Sequence, residues 1–423
     1  MSEKGELLLL VPTRSYRTDD FLAAAARLQV PVLVGSDLCH SVEEAFGGVA
    51  GMVSLDYRHP EAAAERIAAL AEERDIRGVV AADDGTSQIA ALAAERLGLP
   101  HNPPEAARRA GHKAESRRAL QAAGLPVPRF WTFPRRGGPE GPARQVTYPC
   151  VLKPVALSAS RGVMRADDPA AFAAAWRRLE RILDRARSER RPGDEEARST
   201  VLVEAFVPGA EVALEGILRG GRLETLALFD KPDPLDGPFF EETLYVTPSR
   251  HPEPLQARVR EVTAAAAAAL GLREGPVHAE LRLGPEGPVV LEVAARSIGG
   301  LCARTLRFGA GITLEEVIVA HALGAPAGPL RREARAAGVM MLPIPRAGVL
   351  HRVEGVEQAR AVPGVEDVVI TIPEGREVEP LPEGDSYLGF AFARGETPGA
   401  VEATLRVAHA CLRFDIREPL PMA

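Results

Sequence analysis

The stretch that most restricts the fold is Pro276–Gly300, PVHAELRLGPEGPVVLEVAARSIGG. It reads as two short strands joined by a turn at Gly284-Pro285-Glu286-Gly287. Apolar residues alternate in both arms, which puts Ala279, Leu281, Leu283, Val289, Leu291 and Val293 on one buried face. His278, Glu280, Arg282, Glu292, Ala294 and Arg296 then share the other face. If the arms are symmetric about Glu286, Glu280 sits opposite Glu292. Cross-strand partners have Cβ atoms about 5 Å apart, and like charges there destabilise a sheet. Two carboxylates so placed must share a proton or a cation. A hard divalent ion takes carboxylate oxygens and leaves positions open for phosphates. The sharper reading is therefore a magnesium site beside a phosphate or carboxylate, with Arg296 alongside. The plainer one is a wet hairpin face whose glutamates pair with Arg282 and Arg296.

A chain of 423 residues is long enough for two to four packed units. No apolar run approaches the roughly 20 residues needed to span a bilayer, and the opening MSEKGELLLLVP has too short an apolar stretch for a secretory signal. No membrane partner is expected. The net charge of −7, with dispersed basic residues, argues against a nucleic-acid partner. Cys39, Cys150, Cys302 and Cys411 lack metal-ligand spacing and suit free thiols in a reducing cytoplasm. Of 51 basic residues only four are lysine, namely Lys4, Lys113, Lys153 and Lys231. Where arginine serves almost everywhere else, a retained lysine marks a candidate for a compact point charge beside a polyphosphate.

Residues 1 to about 100 alternate strand and helix: Leu7–Val11, Asp19–Leu28, Val32–Val34, Glu61–Arg74, Gly78–Ala82, Ser87–Leu97. That order implies a doubly wound parallel sheet, whose ligands sit beyond the strand carboxyl ends, at Thr13–Arg17 and Asp83–Thr86. No G-x-G-x-x-G follows the first strand, so the dinucleotide fingerprint is absent. After the break at His101–Pro104, Lys113 opens a helix ending at Gly124. Tyr148–Leu152 is the next strand, ended by Lys153-Pro154, where the residue before proline is held extended. The loop Ser158–Val163 has small residues whose N–H groups can face phosphate oxygens. Residues 188–199 read as a solvated insertion. Strands Thr200–Val203, Val212–Leu218 and Arg222–Phe229 lead to Asp230-Lys231-Pro232 and a Pro-rich loop holding Glu241-Glu242-Thr243. Leu255–Leu270 is an Ala-rich helix, Thr313–Glu316 a capping box, and residues 331–423 a small α+β unit with a covering role.

YPCVLKPV, the Ser/Gly loop, TVLVEAFVPGAEV, VHAEL and LEVAARSIGG, in this order, resemble the ATP-grasp superfamily. Within it the chain is similar to the carboxylate–amine ligases, in particular the L-amino-acid ligases that form dipeptides. The resemblance spans roughly residues 1–415. It implies an α/β and α+β multidomain chain: an N-terminal doubly wound parallel sheet (1–100), an ATP-grasp domain (101–330, with a nucleotide-clamping part at about 130–215) and a C-terminal α+β subdomain (331–423). It further implies that Lys113 and Lys153 contact the ATP phosphates and that the loop with Ser158, Ser160 and Gly162 closes over them. Glu204 would sit by the adenine amine, the backbone of Ala205, Phe206 and Val207 along the base edge, and Glu211 on the ribose hydroxyls. Glu280 and Glu292 would hold Mg²⁺, or Mn²⁺ in its place. Arg296 would stabilise the transferred phosphate and, with Lys153, serve catalysis. Ser297, Gly299 and Gly300 would meet the substrate carboxylate, and Lys231, in a loop over the site, a phosphate or substrate.

One departure is Ala294, where many relatives carry Asn, which removes an oxygen ligand from a second magnesium. Expected partners are a small-molecule carboxylate and an amine, with a homodimer as the default assembly. Selectivity is expected in the loops near Arg14–Arg17, Asp83–Thr86, Phe239–Pro248 and Ser297–Arg304. Competing readings are an ATP-grasp ligase of purine or carbamoyl metabolism, and an ATP-binding regulatory subunit without turnover. The joint presence of Lys153, Glu280, Glu292 and Arg296 favours an enzyme.

Overall fold

Four consecutive leucines set the first layer. Leu7 to Leu10 are all fully buried, and they form the strand Glu6–Val11 inside a parallel sheet ordered Met52–Ser54, Val32–Ser36, Glu6–Val11, Ile76–Ala81. A strand covered on both faces is continuously apolar, because its alternate side chains enter different cores. Leu7 and Leu9 pack with Phe21, whereas Leu8 and Leu10 pack with Ile67 and Ile89. The computed structural model describes residues 5–12, 15–37, 51–155, 157–186, 195–326 and 330–418. Lys4, Thr13, Arg14, Cys39 and most of the 188–199 segment lie outside the described residues. The short strand Met52–Ser54 was not expected from the sequence, and the helix after Ile76–Ala81 begins at Asp84 rather than Ser87.

A four-stranded sheet follows, ordered Phe130–Pro134, Thr200–Ala205, Cys150–Pro154, Met164–Ala166. Helix Pro169–Arg185 covers it with Phe172, Trp176 and Leu179, all fully buried. Asp168 starts that helix by accepting the N–H groups of Ala170 and Ala171. The strand ends at Lys153-Pro154, as expected, but includes both residues: Val151 pairs with Glu204 and Lys153 with Leu202. Lys153 and Val151 share a face, so Lys153 is the diagonal neighbour of Glu204.

The largest sheet has eight strands: Gly287–Ala294, Gly275–Gly284, Glu211–Arg219, Arg222–Lys231, Leu244–Thr247, Ala336–Leu342, Gly389–Gly395 and Val365–Ile370. It runs without interruption from the central hairpin into the C-terminal part of the chain. Lys231 ends a strand rather than lying in a loop, and the Pro-rich segment after it contains the strand Leu244–Thr247. Helix Glu253–Leu270 packs on one end of the sheet through Val259, Val262 and Ala266, and Pro398–Cys411 on the other through Val401, Leu405 and Ala408.

The hairpin register holds the decisive detail. Near the turn Gly284 pairs with Gly287 and Leu281 with Val290, yet the next pair is Glu280 with Glu292. Leu291 is one residue in excess, a β-bulge. Without it Glu280 would face Leu291 and Glu292 would turn to the other side, because side chains alternate. The expected opposition of the two glutamates is therefore present, but the apolar face is corrected. Pro288, Val290 and Val293 are buried in the second arm, while Val289 and Leu291 are only partly covered.

Replacing Trp176 with Ala is expected to lower the unfolding free energy of the four-stranded unit by about 3–5 kcal/mol, the usual cost of hollowing a core at a large aromatic. Trp131 lies in the same unit and is the one other tryptophan in the sequence. The check is a denaturant titration followed by its fluorescence.

Candidate active site

The polar face of the hairpin forms the floor of a cavity of about 1050 Å³, to which His278, Glu280, Arg282, Glu292 and Arg296 all contribute. The four-stranded unit supplies one wall, the strand ends of the parallel sheet a second, and residues 371–377 and 385–387 part of a third. All four segments expected to govern selectivity reach it: Ser15–Arg17, Asp83–Gly85, Phe240 with Glu242 and Tyr245, and Ile298–Gly300 with Cys302.

At the end bounded by the four-stranded unit, Glu204 is almost fully buried between two cations. Lys153 Nζ is 2.7 Å from its Oε2, and the Arg117 Nε–H donates to its Oε1. Burial pushes this carboxyl up, but Arg117 and Lys153 outweigh it and hold the pKa at about 2. The Arg117 guanidinium also donates to the carbonyl of Leu291, the bulge residue, and so ties the wall to the floor. Beyond Glu204, the N–H groups of Ala205 and Phe206 donate to the carbonyls of Arg129 and Pro149. The Phe206 ring lies under the Arg165 guanidinium at 4.3 Å.

In the middle, Lys231 Nζ is surrounded by carboxylates: Glu211 at 2.7 Å, Glu280 at 3.3 Å, and Glu242 in direct contact. Burial opposes its charge, yet Glu211, Glu242 and Glu280 raise its pKa well above the usual lysine value. Glu242 moves the other way, pushed up to about 7 by burial and by Glu280 against the pull of Lys231. His278 bridges Glu215 Oε1 at 2.5 Å and Glu280 Oε1 at 3.3 Å. Burial would lower its pKa, but Glu215 and then Glu280 raise it to about 9. Glu211, Glu242 and Glu280 each present an oxygen within 4.8 Å of the others, an all-oxygen set suited to a hard divalent cation. Across the hairpin, Glu292 Oε2 lies 3.6 Å from Lys113 Nζ, which also donates to the Leu157 carbonyl at 2.8 Å.

At the far end, Arg296 donates to Asp84 Oδ2 at 2.8 Å and to the Ser297 carbonyl at 3.0 Å. Burial disfavours the cation, but Asp84 more than compensates. Arg17 is buried beneath, donating to the Ala82 carbonyl at 3.0 Å and to the Ser297 hydroxyl at 2.7 Å. The parallel sheet thus delivers Asp84 and Arg17 to residues that follow the hairpin.

Among the residues expected at the site, Lys113, Lys153, Ser158, Ser160, Glu204, Ala205, Phe206, Val207, Glu211, Glu280, Glu292, Arg296, Gly299 and Gly300 line this one cavity. Gly162, Lys231 and Ser297 do not. Lys231 is buried under the carboxylates and Ser297 is held by Arg17, while the Gly162 N–H donates to the Pro382 carbonyl at 2.9 Å. The Ser158–Val163 loop also uses its N–H groups internally, Arg161 to Ser158 and Val163 to Ser160, with Ala159 and Ser160 in the left-handed region. The loop is pinned to the C-terminal part: Arg161 Nη1 lies 3.6 Å from Asp385 and its Nε–H donates to the Glu383 carbonyl at 3.0 Å, while Arg178 of the following helix grips the Glu383 carboxylate at 2.5 Å. Sequence reasoning missed Arg117, Glu215 and the placement of Glu242. The first two carried a faint signal as charged residues inside apolar faces.

Comparison with known proteins accounts for this arrangement. Residues 146–305 match the ATP-grasp domain model, 22–101 the ATP-grasp N-terminal domain, and 340–417 the L-amino acid ligase C-terminal domain 2. The chain belongs to the ATP-grasp superfamily. The C-terminal match places this ATP-grasp protein with the carboxylate–amine ligases, enzymes that form carbon–nitrogen bonds at the expense of ATP. Its structure is similar to that of L-amino acid ligase from Bacillus licheniformis, with a TM-score of 0.79 and 25% identity over 99% of this chain and 100% of that one. An ADP complex of N5-carboxyaminoimidazole ribonucleotide synthetase shares the fold at a TM-score of 0.70 and 14% identity, over 96% of each chain. In sequence the present chain is 30% identical to carnosine synthase 1 of Gallus gallus over 72% of its own length, and it spans 34% of that protein.

Replacing Arg117 by Met leaves Glu204 buried with one cation instead of two. Removing a partner from a buried pair costs about 3 kcal/mol or more. A carboxyl whose folded pKa is depressed contributes stability that is present above its unfolded value and lost as pH falls toward the folded one. In the wild-type protein that loss runs from pH 4.5 down to about 2. Urea unfolding between pH 7 and pH 3 is expected to show the variant less stable at pH 7, with a shallower loss below pH 4.5.

Proposed function

We propose that this ATP-grasp ligase activates the carboxyl group of an amino acid or similar metabolite as an acylphosphate and passes the acyl group to an amine. The carboxylate oxygen bonds to the γ-phosphorus of ATP as the bond to the β-bridging oxygen breaks, releasing ADP. The amine then adds to the acyl carbon, loses a proton, and phosphate leaves, giving an amide or peptide bond. The observation that carries this reading is the bulge that sets Glu280 against Glu292 on the floor of a cavity ringed by Lys113, Lys153 and Arg296.

The first step brings two anions together, so positioning and positive charge lower its barrier. Lys113 and Lys153 hold the phosphate chain, and Arg296, fixed by Asp84, faces the transferred phosphate and the oxyanion that forms on amine addition. Because Ala205 and Phe206 donate their N–H groups within the protein, the base edge meets Val207, with Glu204 anchoring Lys153 and Glu211 facing the ribose. Mg²⁺ or Mn²⁺ would be held by Glu280 with Glu292 across the hairpin from it, and Glu211 and Glu242, whose oxygens lie within 4.8 Å of one another and of one from Glu280, would complete an oxygen donor set. A bound ion would draw charge from the γ-phosphate. Lys231 sits among the same carboxylates and keeps them from repelling one another. The Ser158–Val163 loop and the C-terminal part shield the acylphosphate from water. We assign residues 1–100 to substrate delivery, 101–330 to nucleotide and metal binding, and 331–423 to the cover.

The test is an ADP-release screen over amino-acid pairs with ATP and Mg²⁺. Glu292→Gln is expected to abolish release, and normal turnover would remove Glu292 from the metal shell. Arg296→Lys is expected to cut kcat by about 10²–10³-fold, the cost of losing one preorganised donor to a developing oxyanion, with the KM for ATP little changed. Equal losses in both would place Arg296 in ATP binding instead.

A further inference from the structure

The largest apolar core of the chain breaks the surface inside the active-site cavity. Ile298, Cys302, Met341 and Tyr245 belong to that core, Tyr16 and Tyr387 pack against it, and all six line the cavity. They come from the loop after the first strand of the parallel sheet, the strand Leu244–Thr247, the segment after the hairpin, and the C-terminal part. Packing locks them together: the Cys302 sulfur lies 3.8 Å from that of Met341, and Tyr16 and Tyr387 have ring centres 5.6 and 6.1 Å from Phe390. Ile298 and Cys302 of this outcrop flank Gly299 and Gly300 in the chain, just after Arg296.

The charged groups that act on it are occupied. Glu242 is paired with Lys231, Asp385 with Arg161 at 3.6 Å, and Arg17 with Ser297 and with Glu315 at 3.6 Å. The thiol of Cys302 and the hydroxyls of Tyr16, Tyr245 and Tyr387 are held neutral by burial. A charged ligand side chain entering here would give up water and meet Glu242, Asp385 and Arg17 already engaged, whereas an apolar one would replace water on a wall already rigid.

We infer that this outcrop is the side-chain subsite for the carboxylate substrate, that it selects an amino acid with an apolar side chain, and that Met341 and Cys302 set its depth. The inference rests on the ligase reading above. A methylene gained or lost in an apolar pocket changes specificity by about 10–200-fold, which is the scale to look for.

The experiment measures kcat/KM for ADP release with L-leucine, L-methionine, L-phenylalanine, L-aspartate and L-lysine as carboxylate substrate and one fixed amine, in the wild type and in Met341→Ala and Cys302→Val. The expected result is a preference for the apolar set of about a hundredfold. Met341→Ala should move the preference toward phenylalanine by about tenfold or more, and Cys302→Val toward smaller side chains. Thermal shifts with the same amino acids, Mg²⁺ and a non-hydrolysable ATP analogue give a binding readout that needs no turnover. Release that is fastest with aspartate or lysine, or a ranking unchanged in both variants, overturns the subsite while leaving the ligase standing. No ADP release with any pair, together with no amino-acid-dependent thermal shift, overturns both.

Discussion

Carboxylates do not gather around a cavity unless cations stand between them. Here Glu204, Glu211, Glu242, Glu280 and Glu292 share one, interleaved with Arg117, Lys153, Lys231, Arg282 and Lys113. Each acid has a basic neighbour, so no charge is buried alone, the condition on which buried ion pairs are tolerated. The alternation also leaves the array able to exchange partners. Lysine ammonium groups hold positions among carboxylate oxygens that a divalent ion would also favour, and the same lysines are suited to phosphate oxygens. A site charged in this way is prepared for a ligand carrying both a polyanion and a metal.

The local pattern of the hairpin went far in the sequence and failed at one residue. Glu280 opposite Glu292 followed from an assumed symmetry about Glu286, and the structure has that pair. The route to it is different: the turn is centred between Pro285 and Glu286, and Leu291 makes up the offset. Simple alternation cannot see a bulge, because the extra residue here is apolar and fits the expected pattern as well as a core residue would. The parallel sheet was legible from the alternation of strand and helix over residues 1 to about 100, and the end of the helix opened by Lys113 from the glycine that follows it.

What the sequence left hidden was mostly long-range. Arg117 lies on a helix read only for its leading lysine, and its partners Glu204 and Leu291 are 87 and 174 residues away. Asp84 reaches Arg296 across 212 residues. Periodicity locates a face, not what stands opposite it, so such pairings appear only once three units meet. The Lys231 cluster was hidden for a related reason: a strand was mistaken for a loop next to proline, which concealed that its last side chain points inward.

The wall that the four-stranded unit and its helix form is fastened differently from the floor. Two of its ion pairs to the C-terminal part reach solvent, Arg178 with Glu383 in part and Arg185 with Glu379 on both sides, unlike the buried pairs beneath. Ion pairs in water are nearly matched by the hydration their partners recover on separating. Parting these two pairs therefore exchanges one set of contacts for another of similar worth. Dissolved salt, which screens such pairs, acts on these contacts before it reaches the floor.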